Sequence, residues 1–394
     1  MNGIHRLSKI FPTIMIALAV FLSTGFSSVR AGAGNKVGSM PKDDNDFISH
    51  FAKGFDASYV KRVEDKGGVY RSASGQVQDV FKILADNGVT YVRFRVWNNP
   101  PAGYCSEADV LALALRAHAA GLKILLDFHY SDGWADPGQQ TKPAAWSALN
   151  FRDLNKAVYD FSYQVVKAME RQGTPPDIVE VGNEITHGML WPDGHVIMGD
   201  ASYDTPAQWQ QFTSLVKSGI DGVKATHSRA RIMIHIASAD DTELRWFFDH
   251  LIANHVHFDV MGLSYYYLWH GTISQMSANL ADMATRYEKP IVIAETAYPF
   301  TLGWNDWTNN IIGLPEQLSP DYPATPAGQT AFLQAVVDMT KAIPHRLGVG
   351  VFYWGGEWIA TSPQDPDGST WENQAMFDFN SNAVDAFSVF RTMH

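Results

Sequence analysis

Short apolar runs alternate with longer amphipathic stretches along most of the chain, and the alternation repeats eight times. The short runs are AKGFDAS (52–58), YVRFRVW (91–97), KILLDFHY (123–130), the segment 177–184, RIMIHIAS (231–238), FDVMGLSYY (258–266), PIVIAET (290–296) and GVGVFYW (348–354). Their length and their β-branched and aromatic content read as buried strands. Between the first two, Val77, Val80, Phe81 and Leu84 fall at helical spacing with Gly88 behind them. Ser106 with Asp109 resembles a capping box opening a helix through Ala120, which Gly121 closes. Further helical stretches cover 153–171, 206–225, 241–254, 274–287, 326–342 and 383–391. Eight strand–helix units in one chain predict an α/β fold, a closed (β/α)8 TIM barrel forming a single catalytic domain. The competing architecture, an open doubly wound sheet, usually carries a glycine-rich phosphate turn after its first strand. Asp56-Ala57-Ser58-Tyr59 is not such a turn.

The N-terminus breaks the pattern. Arg6 and Lys9 precede the apolar run Ile10–Leu22, and small residues follow. This is the layout of a secretory signal peptide over residues 1–31. The apolar run is shorter than the roughly 20 residues of a membrane span. Residues 32–48 read as a polar linker, which leaves 49–394 for the catalytic domain. The expectation is therefore a secreted or periplasmic protein with no membrane span. A single cysteine, Cys105, excludes an intramolecular disulfide, so an exported chain must rely on its core. The net charge of −11 argues against a nucleic-acid partner and is compatible with a neutral substrate.

Active sites of such barrels lie at the C-terminal strand ends. Those ends carry Arg93 and Arg95, Asp127 and His129, Asn183 and Glu184, Tyr265 and Tyr266, Glu295, and Trp354. Two glutamates thus close the fourth and seventh strands on opposite sides of one mouth. Glycosidic cleavage uses such a pair: one carboxyl protonates the leaving oxygen, and the other attacks the anomeric carbon or activates water. Ten of the twelve tryptophans (97, 134, 146, 191, 269, 304, 307, 354, 358 and 371) fall at these ends or in the loops beyond them. Trp97, Trp134, Trp191, Trp269 and Trp354 are candidate platforms for stacking sugar rings. His118 and His235 fall in helix and strand patterns and are read as structural. His129 beside Asp127 hints at a metal, but the first strand ends in no His-x-His pair. DPDGST (365–370) offers alternating oxygen ligands suited to Ca²⁺, although a solvated turn explains it as well.

KGFDASYV, VRFRVWNNP, LLDFHYSDGWADPGQQ, VGNEITHGMLWPDG, LSYYYLWHG, AETAYPF, FYWGGEW and TWENQAMFD together resemble the endo-β-1,4-galactanases of glycoside hydrolase family 53. The resemblance runs from about Lys53 to Phe379. It implies a retaining hydrolase of β-1,4-galactan and galacto-oligosaccharides that needs no cofactor and works as a monomer, with bacterial members offering precedent for Ca²⁺ in the eighth loop. On that resemblance Glu184 is the acid/base and Glu295 the nucleophile. Asn183 contacts the 2-hydroxyl, Arg95 holds the nucleophile ionised, and Tyr266 orients it. Asp127, His129 and Trp354 line the site. Two positions depart from the family pattern. Gly355-Gly356 stands where a Glu-Pro type sequence is expected, and Glu180 stands where an uncharged amide is expected. Retention further requires carboxyls about 5 to 5.5 Å apart and a Glu184 pKa of about 6 to 7. A clan relative acting on mannan or glucan and a non-catalytic carbohydrate-binding barrel are the alternatives. The second would be expected to lack one of the glutamates.

Overall fold

The computed structural model describes residues 50–361 and 367–393. The expected leader (1–31) and linker (32–48) lie outside the described residues. Eight strands close a barrel in which all neighbours are parallel: β1 (Ala52–Asp56), β2 (Tyr91–Val96), β3 (Lys123–Phe128), β4 (Ile178–Val181), β5 (Arg231–Ile236), β6 (Val260–Ser264), β7 (Ile291–Thr296) and β8 (Gly348–Tyr353). Strand β1 pairs with both β2 and β8, so no edge remains. The α-helices longer than four residues are α1 (Val60–Asp65), α2 (Val80–Asp86), α3 (Glu107–Ala119), α4 (Phe151–Gln172), α5 (Pro206–Ala225), α6 (Asp241–Ala253), α7 (Ile273–Tyr287), α8 (Pro326–Lys341) and α9 (Phe387–Thr392). Among the described residues, no helix is long and apolar enough to cross a membrane.

Local signals set the helix starts. The side chains of Ser106, Asn150, Thr205, Asp240, Thr272 and Thr325 each accept a backbone N–H of the first turn that follows. Pro206 and Pro326 sit at first helical positions, where the missing N–H costs nothing. Helix α4 buries Leu154, Val158, Phe161, Val165, Val166 and Met169, spaced at three to four residues, against the sheet. Each such side chain contributes about 1.5–3 kcal/mol on burial.

The two-residue period of the strands divides their side chains between these helices and the barrel interior. On β2, Val92, Phe94 and Val96 are fully buried, and Val92 and Phe94 belong to the large core shared with the helices. Tyr91 instead joins Ala52, Leu125, Ile178, Met233, Val260, Val292, Val349 and Phe352 in a separate apolar plug at the barrel floor. Two residues further on, the interior positions turn polar: Arg93, Asp127, Glu180 and His235 are each fully buried. The polar layer is what the mouth stands on.

Seven of the eight strands end one to three residues earlier than the apolar runs suggest; β7 ends with its run at Thr296. Strand β4 stops at Val181 because Gly182 turns left-handed (φ 92°) and Glu184 follows in the left-handed region (φ 47°). A Cβ on Gly182 would meet Ile185 Cγ2 at 2.6 Å, so the turn needs glycine. Left-handed backbone at a glutamate costs on the order of 1 kcal/mol and signals a constraint worth explaining.

Candidate active site

Arg93 organises the floor of the mouth. Its Nε and Nη2 donate to the two oxygens of Glu180 at 3.0 and 2.9 Å. Nη1 donates to Asp56 Oδ2 (3.1 Å) and Glu295 Oε1 (2.8 Å), and Nη2 also donates to Asn183 Oδ1 (2.6 Å). These bonds match the guanidinium's five N–H donors. The arginine serving Glu295 is therefore Arg93, and this corrects the expectation for Arg95. Both point inward from β2, but barrel stagger brings β7 alongside the lower one.

Arg95 has a different setting. Its guanidinium lies 4.1 Å from the centre of the Tyr59 ring and 4.4 Å from that of Trp134, with Trp97 and Trp354 within 6 Å. Asp56 lies 3.6 Å away, within ion-pair distance. Nε and Nη2 are buried with no hydrogen-bond partner. Arg95 thus acts as a cationic post inside an aromatic wall. Trp358, stacked at 6.2 Å on Trp134, and Trp354, 5.9 Å from Trp134, extend that wall.

Glu295 accepts from Arg93 on one oxygen and from the Tyr266 hydroxyl on the other, at 2.8 Å each. A carboxylate, which only accepts, fits that pair of donors. Glu184 is held differently. Its Oε1 accepts from Ser264 Oγ at 2.6 Å, and Ser264 is the register partner of Glu295 between β6 and β7. The two glutamates therefore share a neighbourhood. Burial and the negative charge of Glu295 push Glu184 up to about 8, against the opposing pull of His235 and Ser264. The direction is the expected one, and the value lies above the 6 to 7 anticipated from the mechanism.

Asn183 is buried and committed to the protein: Nδ2 donates to the Ala135 carbonyl at 2.7 Å, and Oδ1 accepts from Arg93. His129 Nδ1 receives N–H groups from Trp97 and from Ala135, each at 3.2 Å. The ring is therefore neutral with its proton on Nε2, which faces Asp127 at 2.9 Å. Burial, then Arg95 and Arg93, lower His129 to about 3. Asp127 lies 3.0 Å from Arg93, yet neither of its oxygens makes a hydrogen bond, and burial pushes it well above the usual carboxylate range.

The predicted tryptophans separate into groups. Trp97, Trp134 and Trp354 join the wall around Arg95. Trp269, half exposed, packs edge-on against Tyr266 at 5.3 Å. Trp191 stands in a small hairpin, Gly188–Met189 with Gly194–His195, stacked on His195 at 4.0 Å. Trp146, counted with the mouth in the sequence, packs against Phe161 in the core instead. At Gly355-Gly356 the departure has a steric reason. A Cβ on either would meet an aromatic ring, Trp371 or Phe55, at 2.5 Å. The glycines let Trp354 seat on Trp371, with centroids 4.6 Å apart.

Sequence reasoning missed Ser264, His235, Glu180's partners and Tyr59. The available signal was the inward parity of β2, β4 and β5, which puts Arg93, Glu180 and His235 on one face. Asp365 and Pro366 of the candidate calcium loop lie outside the described residues. The described Asp367 is 3.5 Å from Arg62 and 3.6 Å from Lys66, cations rather than fellow ligands, and no group of three metal-binding side chains occurs among the described residues.

A closed (β/α)8 barrel with two carboxyl groups in contrasting environments at its C-terminal mouth, beside an aromatic wall, defines a glycoside hydrolase. The family follows from comparison. Residues 52–390 match the model of Glycosyl hydrolase family 53, and the chain belongs to that family. It is 35% identical over 352 residues to the arabinogalactan endo-β-1,4-galactanase of Cellvibrio japonicus (strain Ueda107), covering 86% of this chain and 90% of that one. It is 32% identical over 400 residues to the endo-β-1,4-galactanase of Bacillus subtilis (strain 168), covering 90% and 87% respectively. The solved family 53 catalytic domain of Ignisphaera aggregans superposes with a TM-score of 0.81 at 36% identity, over 91% of this chain and 98% of that one. The chain is thus a carbohydrate-active hydrolase of this family.

Proposed function

We propose that the protein is an exported endo-β-1,4-galactanase that cleaves galactan with retention of anomeric configuration and acts as a monomer. The supporting observation is the contrast between its two glutamates: Glu295 accepts from Arg93 and Tyr266, while Glu184, pushed up to about 8, keeps its proton at neutral pH. In the first step Glu184 gives that proton to the glycosidic oxygen as a Glu295 oxygen bonds to the anomeric carbon, and the shortened chain leaves. Esterification removes the Glu295 charge, so Glu184 becomes more acidic and its carboxylate can take a proton from water. That water attacks the anomeric carbon and frees Glu295. Protons and carboxylates suffice, so the proposal needs no metal. The aromatic wall around Arg95, with Trp269 and Trp191 flanking the mouth, would seat the apolar faces of the galactose rings. The charged and apolar segments before Leu22 support export.

The test is digestion of linear β-1,4-galactan followed by proton NMR of the nascent anomeric centre, with Glu184→Gln and Glu295→Gln alongside. Release of short β-configured products by the wild type, and loss of activity by orders of magnitude in both variants, is expected. Cleavage of another β-glycan in place of galactan would overturn the substrate, and full activity of either variant would overturn the mechanism.

A further inference from the structure

Glu180 is a carboxylate inside a strand where the family pattern suggests an amide, and it lies beneath the acid/base. It is fully buried, and besides Arg93 it faces His235 Nδ1 at 2.7 Å. The other ring nitrogen, Nε2, lies 2.9 Å from Ser264 Oγ. Ser264 in turn donates to Glu184 Oε1 at 2.6 Å. When Glu184 is the carboxylate of the second step, the single hydroxyl proton of Ser264 is spent on it, so the Ser264 oxygen accepts from His235. Glu180 can only accept, so Nδ1 must also donate. In that state both nitrogens carry protons, and His235 is an imidazolium with no exposure to water.

We propose that Glu180, His235 and Ser264 form a charge-setting arm of the acid/base: Glu180 holds His235 cationic, and His235 acts through the Ser264 hydroxyl to stabilise the Glu184 carboxylate needed in the second step. This rests on Glu184 being the acid/base. The three are positioning residues, since none of them is assigned a bond to the sugar.

The charges around the arm agree with this. Glu184 is faced by Glu295 from β7, by His235 from β5, by Ser264 from β6, by Tyr266, and by Asp136 from the loop after β3. His235 is faced by Glu180 from β4, by Arg93 from β2, by Asp127 from β3, by Glu295, and by His270 after β6. Burial is the largest single effect and pushes His235 down, but the charge and hydrogen bond of Glu180, with the charge of Glu295, together outweigh burial and Arg93, and the net shift is upward. Burial likewise pushes Glu180 up, yet Arg93 and His235 hold it down to about 2. The arm thus opposes burial and Glu295, which raise Glu184. Without it Glu184 would keep its proton too tightly to act as a base.

The experiment compares wild type with Ser264→Ala, Ser264→Thr and Glu180→Gln. One readout, carbon-13 NMR titration of labelled glutamate carboxyls, needs no substrate; the Glu184 signal is the one absent from Glu184→Gln. Ser264→Ala and Glu180→Gln should each move that midpoint upward by about one unit, and Ser264→Thr, which keeps the hydroxyl, should restore it. The second readout is hydrolysis of galactan and of an aryl β-galactoside with a good leaving group. Slower deglycosylation should lower kcat and KM together, by about tenfold in kcat, and accumulate glycosyl-enzyme. An unchanged midpoint in Glu180→Gln and in folded Ser264→Ala overturns the proposal, as does an equal shift in the Ala and Thr variants. If Ser264→Ala does not fold, Glu180→Gln decides alone. Should wild type leave galactan intact, the substrate assignment fails while the titration still tests the arm.

Discussion

Arg93 and Arg95 are two residues apart on one strand, share its inward face and are both buried, yet they do different work. Arg93 spends every N–H on oxygen: Asp56, Glu180, Asn183 and Glu295. Arg95 leaves two nitrogens without a partner and is surrounded by aromatic faces. One arginine is an electrostatic hub for reacting groups, and the other is a pillar in a wall. The step of about 6.6 Å between them along the strand is enough to cross from a carboxylate layer to an aromatic one.

That contrast can be broken by substitution. The largest expected effect is that of Arg93→Met, which leaves several buried carboxylates without their cation. Folding stability should fall by about 3–5 kcal/mol, and galactan hydrolysis should be lost, as measured by urea denaturation and by product release. Arg93→Lys sharpens the point: it keeps the charge but loses the planar fork, so activity should fall by about a hundredfold or more. Trp134→Ala should weaken substrate binding by about 1–3 kcal/mol, read as a raised KM, if stacking follows the range known for aromatic platforms. Arg95→Met should cost only about 0.5–2 kcal/mol of stability and leave the pH profile in place. Equal losses in Arg93→Met and Arg95→Met would erase the distinction.

A pH profile separates the two residues further. The acid step needs Glu184 protonated, so kcat/KM should fall as pH rises through about 8. Arg95→Met should leave that limb unmoved. Removing the charge of Glu295 with Glu295→Gln should lower the Glu184 midpoint, because the raising effect of its neighbour disappears.

Much of the fold was legible because it follows from local periodicities. The strand–helix alternation and the cap at Ser106 are written in short windows, whereas the fourth strand was read through Gly182 to Glu184 and stops at Val181. Both glutamates were legible too, since each closes an apolar run. The roles of Arg93, His235 and Ser264 were not. Their partners Glu295, Glu180 and Glu184 lie far along the chain, 202 residues apart in the case of Arg93 and Glu295. Glu180 looked like an anomaly because its counter-charges sit on β2 and β5.

The sequence by itself determined that eight strands would carry apolar side chains outward to helices, and that two glutamates would meet at one mouth. Strand period and chain order suffice for that. Tertiary structure alone decided which arginine touches Glu295, which tryptophans share a wall, and why Glu180 meets Arg93 and His235 in the core. Closing the barrel fixes strand tilt and stagger, and those set which inward side chains lie at the same height.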